Sequence, residues 1–185
     1  TEIAEDIFHD AALAHRAAKL QSTVRASIEK NAVVHHEKFG TVYAYETDGF
    51  GQYYIMDDAN VPSLLSIPFL EYAPIDDERY QNTRRMILSD MNPYFYKGSA
   101  ASGIGSPHTP VNHVWPVSLA MQGLTSADKN EKLRILELLT CTDAGTGSMH
   151  ESFEVGNPHV YTREWFSWAD ALFCTLVLDY CGLRR

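Results

Sequence analysis

Leu13, Ala17, Leu20, Val24 and Ile28 recur at helical spacing, and neither Gly nor Pro occurs between residues 2 and 30. That spacing puts all of them on one face, so one long helix is predicted over 2–30. Past Val33 the pattern changes. Thr41-Val42-Tyr43-Ala44-Tyr45 and Gln52-Tyr53-Tyr54-Ile55-Met56 are β-prone runs on either side of Asp48-Gly49-Phe50-Gly51. Two such runs around a glycine-rich turn predict a small hairpin. Pro62 suits the first turn of a helix, and Leu64, Leu65 and Leu70 carry that helix to about Tyr72. Asp76-Asp77-Glu78 then places carboxylates where the next helix begins, complementing the positive end of its dipole through to about Ser89.

Residues 90–113 read as a long loop, rich in Gly, Ser and aromatic residues. A helix from about Trp115 to Gly123 follows. Ser126 is placed to cap the next, which runs to about Leu139 with Leu133, Ile135, Leu136 and Leu139 mostly inward. A second long loop spans Thr142 to Tyr161, and Thr162 is placed to cap a last helix with the stripe Trp165, Trp168, Leu172, Phe173, Leu176 and Val177. The pattern is all-α, with about six helices in antiparallel pairs and a hairpin set in a loop. Short links join helix pairs, whereas loops this long are usually functional.

Composition narrows the function. A net charge of −9 opposes binding to phosphate backbones, so nucleic acid is a poor partner. No apolar run approaches the roughly 18 residues of a membrane span. Cys141, Cys174 and Cys181 form no CxxC pair. The last two lie about 10 Å apart along one helix, beyond disulfide reach. Free thiols and an acidic start unlike a secretory signal read as cytoplasmic. That start has no Met and enters a helix in mid-stride, unlike a natural N-terminus.

The long loops gather Gly, aromatics, His and carboxylates, a mixture that suits sugars. Aromatic faces stack on C–H surfaces while carboxylates and amides take hydroxyls. The same mixture also describes wet loops pinned by buried Tyr and Phe. His35, His36, His108, His113, His150 and His159 form no HExxH pattern. A metal hydrolase built on them stays a third reading that chelator would test. Gly103-Ile104-Gly105-Ser106-Pro107 lacks nucleophile-elbow spacing. Asp57-Asp58, Glu151 and Glu164 are the loop carboxylates, and two carboxylates across a sugar bond suffice for hydrolysis. Spacing does not choose the pair, and for each carboxylate a solvated or capping role is the default.

Several runs together bring a family into view. They include Tyr-Ala-Tyr-Glu at 43–46, Asp-Gly-Phe-Gly at 48–51, Met-Asp-Asp-Ala-Asn-Val-Pro-Ser-Leu-Leu at 56–65 and Tyr-Gln-Asn-Thr-Arg-Arg at 80–85. Gly-Ile-Gly-Ser-Pro-His-Thr-Pro at 103–110, Met-Gln-Gly-Leu-Thr-Ser at 121–126 and Thr-Asp-Ala-Gly-Thr-Gly at 142–147 continue the series. Met-His-Glu-Ser-Phe at 149–153 and Thr-Arg-Glu-Trp-Phe-Ser-Trp-Ala at 162–169 complete it. In this order they resemble glycoside hydrolase family 125, the exo-acting α-1,6-mannosidases.

The resemblance implies an (α/α)6 toroid, of which residues 1–185 would be the C-terminal half of one catalytic domain, without the N-terminal half. It implies an inverting mechanism with no metal and no cofactor, mannose-containing glycans as ligands, and the N-terminal half as partner. Glu151 matches the general base. The general acid, an Asp upstream of the first helix, matches no position here, so the chain alone is expected to be inactive. Asp57, Asp58, His108, Trp115, Arg163 and Glu164 fall in matching segments as substrate-binding expectations, and Asp57-Asp58 would bind hydroxyls or hold the hairpin. A non-catalytic glycan-binding or scaffold half of the same fold is the alternative.

Overall fold

The computed structural model describes residues 1–184. The predicted first helix is broken. A π-helical turn covers Ile3–Ile7, and helix α1 runs Ala11–Asn31. Between them His9 takes a positive φ of 49°, and extended Asp10 caps α1 by accepting the Leu13 amide at 2.9 Å. The apolar stripe on α1 is also not where burial was expected. Leu13, Leu20 and Val24 are exposed, and Ala14 is the residue α1 buries.

Two hairpins share the 41–47 stretch. β1 (Val33–His36) pairs antiparallel with β2 (Gly40–Tyr43), Val33 opposite Tyr43 and His36 opposite Gly40. β3 (Glu46–Thr47) then pairs with β4 (Tyr53–Tyr54) around the predicted Gly49–Gly51 turn. Asp48 closes that turn, its carboxylate accepting the Phe50 and Gln52 amides at 2.8 and 3.0 Å.

The helix expected over 62–72 is a chain of turns. Pro68 in its interior offers no amide and crowds the preceding turn. The amides of Leu64 and Leu65 are instead claimed by the Asp57 carboxylate at 2.8 and 3.0 Å. Helix α2 (Glu78–Ile87) starts where the acidic run predicts, with Asp77 accepting the Tyr80 amide at 2.8 Å.

The two long loops contain unexpected strands. β5 (Phe95–Lys97) pairs with β6 (Ser102–Ile104), and β7 (His113–Val114), β8 (Ser152–Glu154) and β9 (Asn157–Thr162) form one antiparallel sheet with β8 in the middle. Helix α3 (Pro116–Leu124) is buried along nearly its whole length between α4 (Lys129–Cys141) and α5 (Ser167–Tyr180). Two expected caps move. Asp128, not Ser126, caps α4, while Ser126 hydrogen-bonds the Glu131 carboxylate. Thr162 ends β9, so α5 begins at Ser167.

The fold is helix-dominated, and its core gathers Leu65, Tyr80, Met86, Ile104, Leu119, Leu139, Phe153 and Leu176. Among the described residues the cysteines are free and exposed, and no helix is long and apolar enough to cross a membrane.

Candidate functional site

β8 ties two distant stretches together. Val114 faces Phe153 across the β7–β8 ladder, and Tyr161 faces Phe153 from the other side. The ladder carries Trp115, which follows β7, and Glu151, which precedes β8, to the same edge of the sheet. Phe153 below them is fully buried and anchors all three strands.

At that edge lies an open cleft of about 660 Å³, lined by Asn60, His108, Trp115, Glu151, Arg163, Trp165, Phe166, Ser167 and Trp168. Of the residues expected from the sequence, His108, Trp115, Glu151 and Arg163 therefore come together. Glu151 keeps 14% of its side chain exposed, and Arg163 Nε lies 3.4 Å from its Oε1. Trp115 is held rather than free: its indole N–H donates to Thr109 Oγ1 at 2.9 Å, and its ring meets Phe166 edge-on at 5.9 Å. His108 is exposed, with its backbone amide fixed on Ser106 Oγ at 3.2 Å.

The other expected residues lie elsewhere. Glu164 is exposed and off the lining, and its backbone carbonyl accepts from His150 Nδ1 at 2.7 Å. Asp57 is fully buried, its two oxygens taken by the Leu64 and Leu65 amides. Burial pushes its carboxyl up to about 7, against the opposing pull of those amides. Asp58 is buried one step behind the cleft, where its oxygens accept both N–H groups of Asn60, the amide side chain at 3.2 and 3.3 Å. Asn60 thus reaches the cleft with its amide already oriented.

Sequence reasoning missed the α5 edge. Trp165 and Trp168 count in the sequence as part of the apolar stripe of the last helix, but they are 69% and 66% exposed and wall the cleft. The signal was there, since two Trp and a Phe within four residues are a heavy aromatic load for a helix start. The later onset of α5 rotates this stripe out of the core, with Phe166 N–H donating to the Met149 carbonyl at 2.9 Å.

The histidines divide between support and surface. His113 Nδ1 lies 3.0 Å from Ser152 Oγ, which lies 2.7 Å from Thr162 Oγ1, so one chain of polar groups crosses all three strands. Burial holds His113 below the usual imidazole range. His150 is fully buried and stacks on Tyr161, with ring centres 3.8 Å apart and planes 7° from parallel. Among the described residues no three His, Cys, Asp or Glu side chains gather as a metal-ligand set.

A single carboxylate in a cleft walled by aromatic rings, with amide, imidazole and guanidinium groups around it, suits a neutral polyhydroxylated ligand. Known proteins fit this reading. The family model for metal-independent α-mannosidases, glycoside hydrolase family 125, matches residues 1–178. The meiotically up-regulated gene 157 protein of Schizosaccharomyces pombe is 49% identical over 168 residues, which are 90% of this chain and 33% of that protein. A metal-independent α-mannosidase from Streptococcus pneumoniae, solved as a non-productive complex with α-1,6-mannobiose, superposes with a TM-score of 0.89 at 53% identity, over 91% of this chain and 39% of that one. The chain thus spans well under half the length of both relatives.

Proposed function

Because the chain belongs to glycoside hydrolase family 125, the metal-independent α-mannosidases, we propose that it is the base-bearing, C-terminal half of an exo-α-1,6-mannosidase that inverts configuration. The observation that carries this reading is Glu151, the one carboxylate on the cleft lining among the described residues. Inverting hydrolysis needs two carboxyl groups on opposite faces of the sugar. Glu151 takes a proton from water as the water oxygen bonds to the anomeric carbon. An Asp outside this chain protonates the departing glycosidic oxygen as its bond to that carbon breaks.

The same reading accounts for the uncovered apolar surface. In a complete (α/α)6 toroid the stripe Leu13, Leu20 and Val24 on α1 packs against the N-terminal half, which also closes the cleft. Mannose-containing glycans are the ligand, with Trp165 and Trp168 offering faces to C–H surfaces and Asn60 and His108 reaching hydroxyls. Asp57 and Asp58 serve the site from behind, by fixing the turn that presents Asn60. The three exposed free thiols support a reducing, cytoplasmic setting.

The test compares this chain alone with the chain joined to its N-terminal half, on α-1,6-mannobiose with EDTA present. Hydrolysis in the joined protein only, with β-mannose as the first product by proton NMR, is expected. Hydrolysis by the chain alone, or by the joined Glu151→Gln protein, overturns the assignment.

A further inference from the structure

Three consecutive carbonyls, those of Thr162, Arg163 and Glu164, all accept from residues 150 and 151. The Glu151 amide is shared between the carbonyls of Thr162 at 3.2 Å and Arg163 at 3.3 Å. His150 Nδ1 takes the Glu164 carbonyl at 2.7 Å. A carbonyl only accepts, so Nδ1 is the donor in this bond, and the other ring nitrogen is Nε2. That Nε2 is buried with no hydrogen-bond partner.

This bonding surrounds a costly backbone conformation. Arg163 has a φ of 43°, the left-handed region, where a side chain costs roughly 1–2 kcal/mol. Such a conformation persists only where its surroundings over-determine it. The carbonyls on both sides of Arg163 are tied to residues 150 and 151, just before β8, and the Nδ1 bond is the one side-chain tie among them. The ring that makes it is clamped against Tyr161, two residues before Arg163. The outcome of this bent turn is the placement of the Arg163 guanidinium 3.4 Å from the Glu151 carboxylate.

We infer that His150 is a positioning residue for the proposed base. Its Nδ1–H holds the Arg163–Glu164 turn in its left-handed form and so sets where the Glu151 carboxylate and its guanidinium neighbour stand in the cleft. The imidazole touches neither substrate nor reacting atoms. This inference rests on the reading of Glu151 as the base.

The test uses the joined, active enzyme and two amide variants. In His150→Asn the amide nitrogen falls where Nδ1 stands, so the donor to the Glu164 carbonyl survives. In His150→Gln the nitrogen falls near Nε2, and that donor is lost. Both variants lose the ring stack on Tyr161, so the ratio between them isolates the hydrogen bond. The Gln variant is expected to lose kcat on the order of tenfold or more with KM within about twofold, since a small displacement of a reacting group costs rate before affinity. The Asn variant is expected to recover most of that loss.

Equal kcat in the two variants overturns the inference, as does a loss confined to KM. Should either amide fail to fold, His150→Phe keeps the ring and removes only the donor, and wild-type kcat there overturns it as well. Glu151→Gln is run beside them. If that variant is active, the base assignment falls and this inference with it. If it is inactive while His150→Gln matches His150→Asn, only the positioning role falls.

Discussion

Asp57 and Asn92 grip each other across 35 residues of sequence: the Asp57 amide donates to Asn92 Oδ1, and Asn92 Nδ2 donates back to the Asp57 carbonyl, both at 3.2 Å. The same Asp57 presents its carboxylate to the amides of Leu64 and Leu65. One buried residue thus joins the start of the 90s loop to the turns that follow Asn60. Those turns replace a helix, so their amides have no helical partners and depend on this side chain.

The charge state of Asp57 therefore enters stability. Burial raises its carboxyl from the ordinary 3.8 to about 7. Between those values the folded chain holds a proton that the unfolded chain has released, so this group's contribution falls as pH rises through that window. Asp57→Asn turns one oxygen into a donor facing an amide N–H, which costs about 1–3 kcal/mol. Urea unfolding is expected to show wild type losing stability relative to the variant from about pH 4 to about pH 7, with no further change above. Wild type gaining on the variant as pH rises would show a carboxylate stabilised by its amides instead.

Gly105 offers a second stability test. A methyl group there would lie 2.1 Å from the His113 carbonyl oxygen and 2.7 Å from the Tyr96 ring. The first obstacle is backbone and cannot swing away. Its own carbonyl also accepts the Ala59 amide at 3.0 Å, next to Asn60. Gly105→Ala is expected to cost roughly 3 kcal/mol or more by denaturant titration, and to weaken ligand binding with it.

Arg163 separates backbone strain from charge. Arg163→Ala removes the guanidinium and keeps a side chain at φ 43°. Arg163→Gly removes both. The Gly variant is expected to be more stable than the Ala variant by about 1 kcal/mol in thermal unfolding, with the two equally impaired in activity. Greater activity in the Gly variant would mean that the strained turn, rather than the charge, limits the site.

Trp165 and Trp168 stand mostly in solvent on this chain, so truncating either is expected to change stability by no more than about 0.5 kcal/mol. In the joined enzyme each Trp→Ala change is expected to raise KM for mannobiose about fivefold to tenfold, the worth of one aromatic face. An unchanged KM for both would remove them from the sugar-binding wall.

These residues also mark how far the sequence is legible. α2, α3 and α4 follow from local signals: apolar runs at helical spacing and, for α2, the acidic run at its start. The break at His9 and the loss of the 62–72 helix were signalled by Asp10 and Pro68, which apolar spacing outweighed. The strands β5 to β9 were not legible. They are mostly two or three residues long, too short to alternate, and His113 finds its partner Glu154 only through the fold. Of the site, Glu151, Arg163, His108 and Trp115 came from the family's motifs rather than from periodicity. The exposed tryptophans were misplaced because helical spacing was carried back past the true start of α5. On α1 the stripe is apolar as read, but among the described residues Leu13, Leu20 and Val24 stay exposed while Ala17 and Ile28 are half-buried.

The central strand β8 has one more consequence. Trp115 follows the Val114–Phe153 rung between β7 and β8, and Glu151 precedes the Ser152–Thr162 rung between β8 and β9, so their relative placement is set through one central strand rather than by how the helices happen to settle. A shift of α5 would carry the outer wall of the cleft with it and leave that pair in register. The inner gauge of the cleft is in effect dimensioned by covalent and hydrogen-bond lengths, whereas its mouth follows the packing of α5.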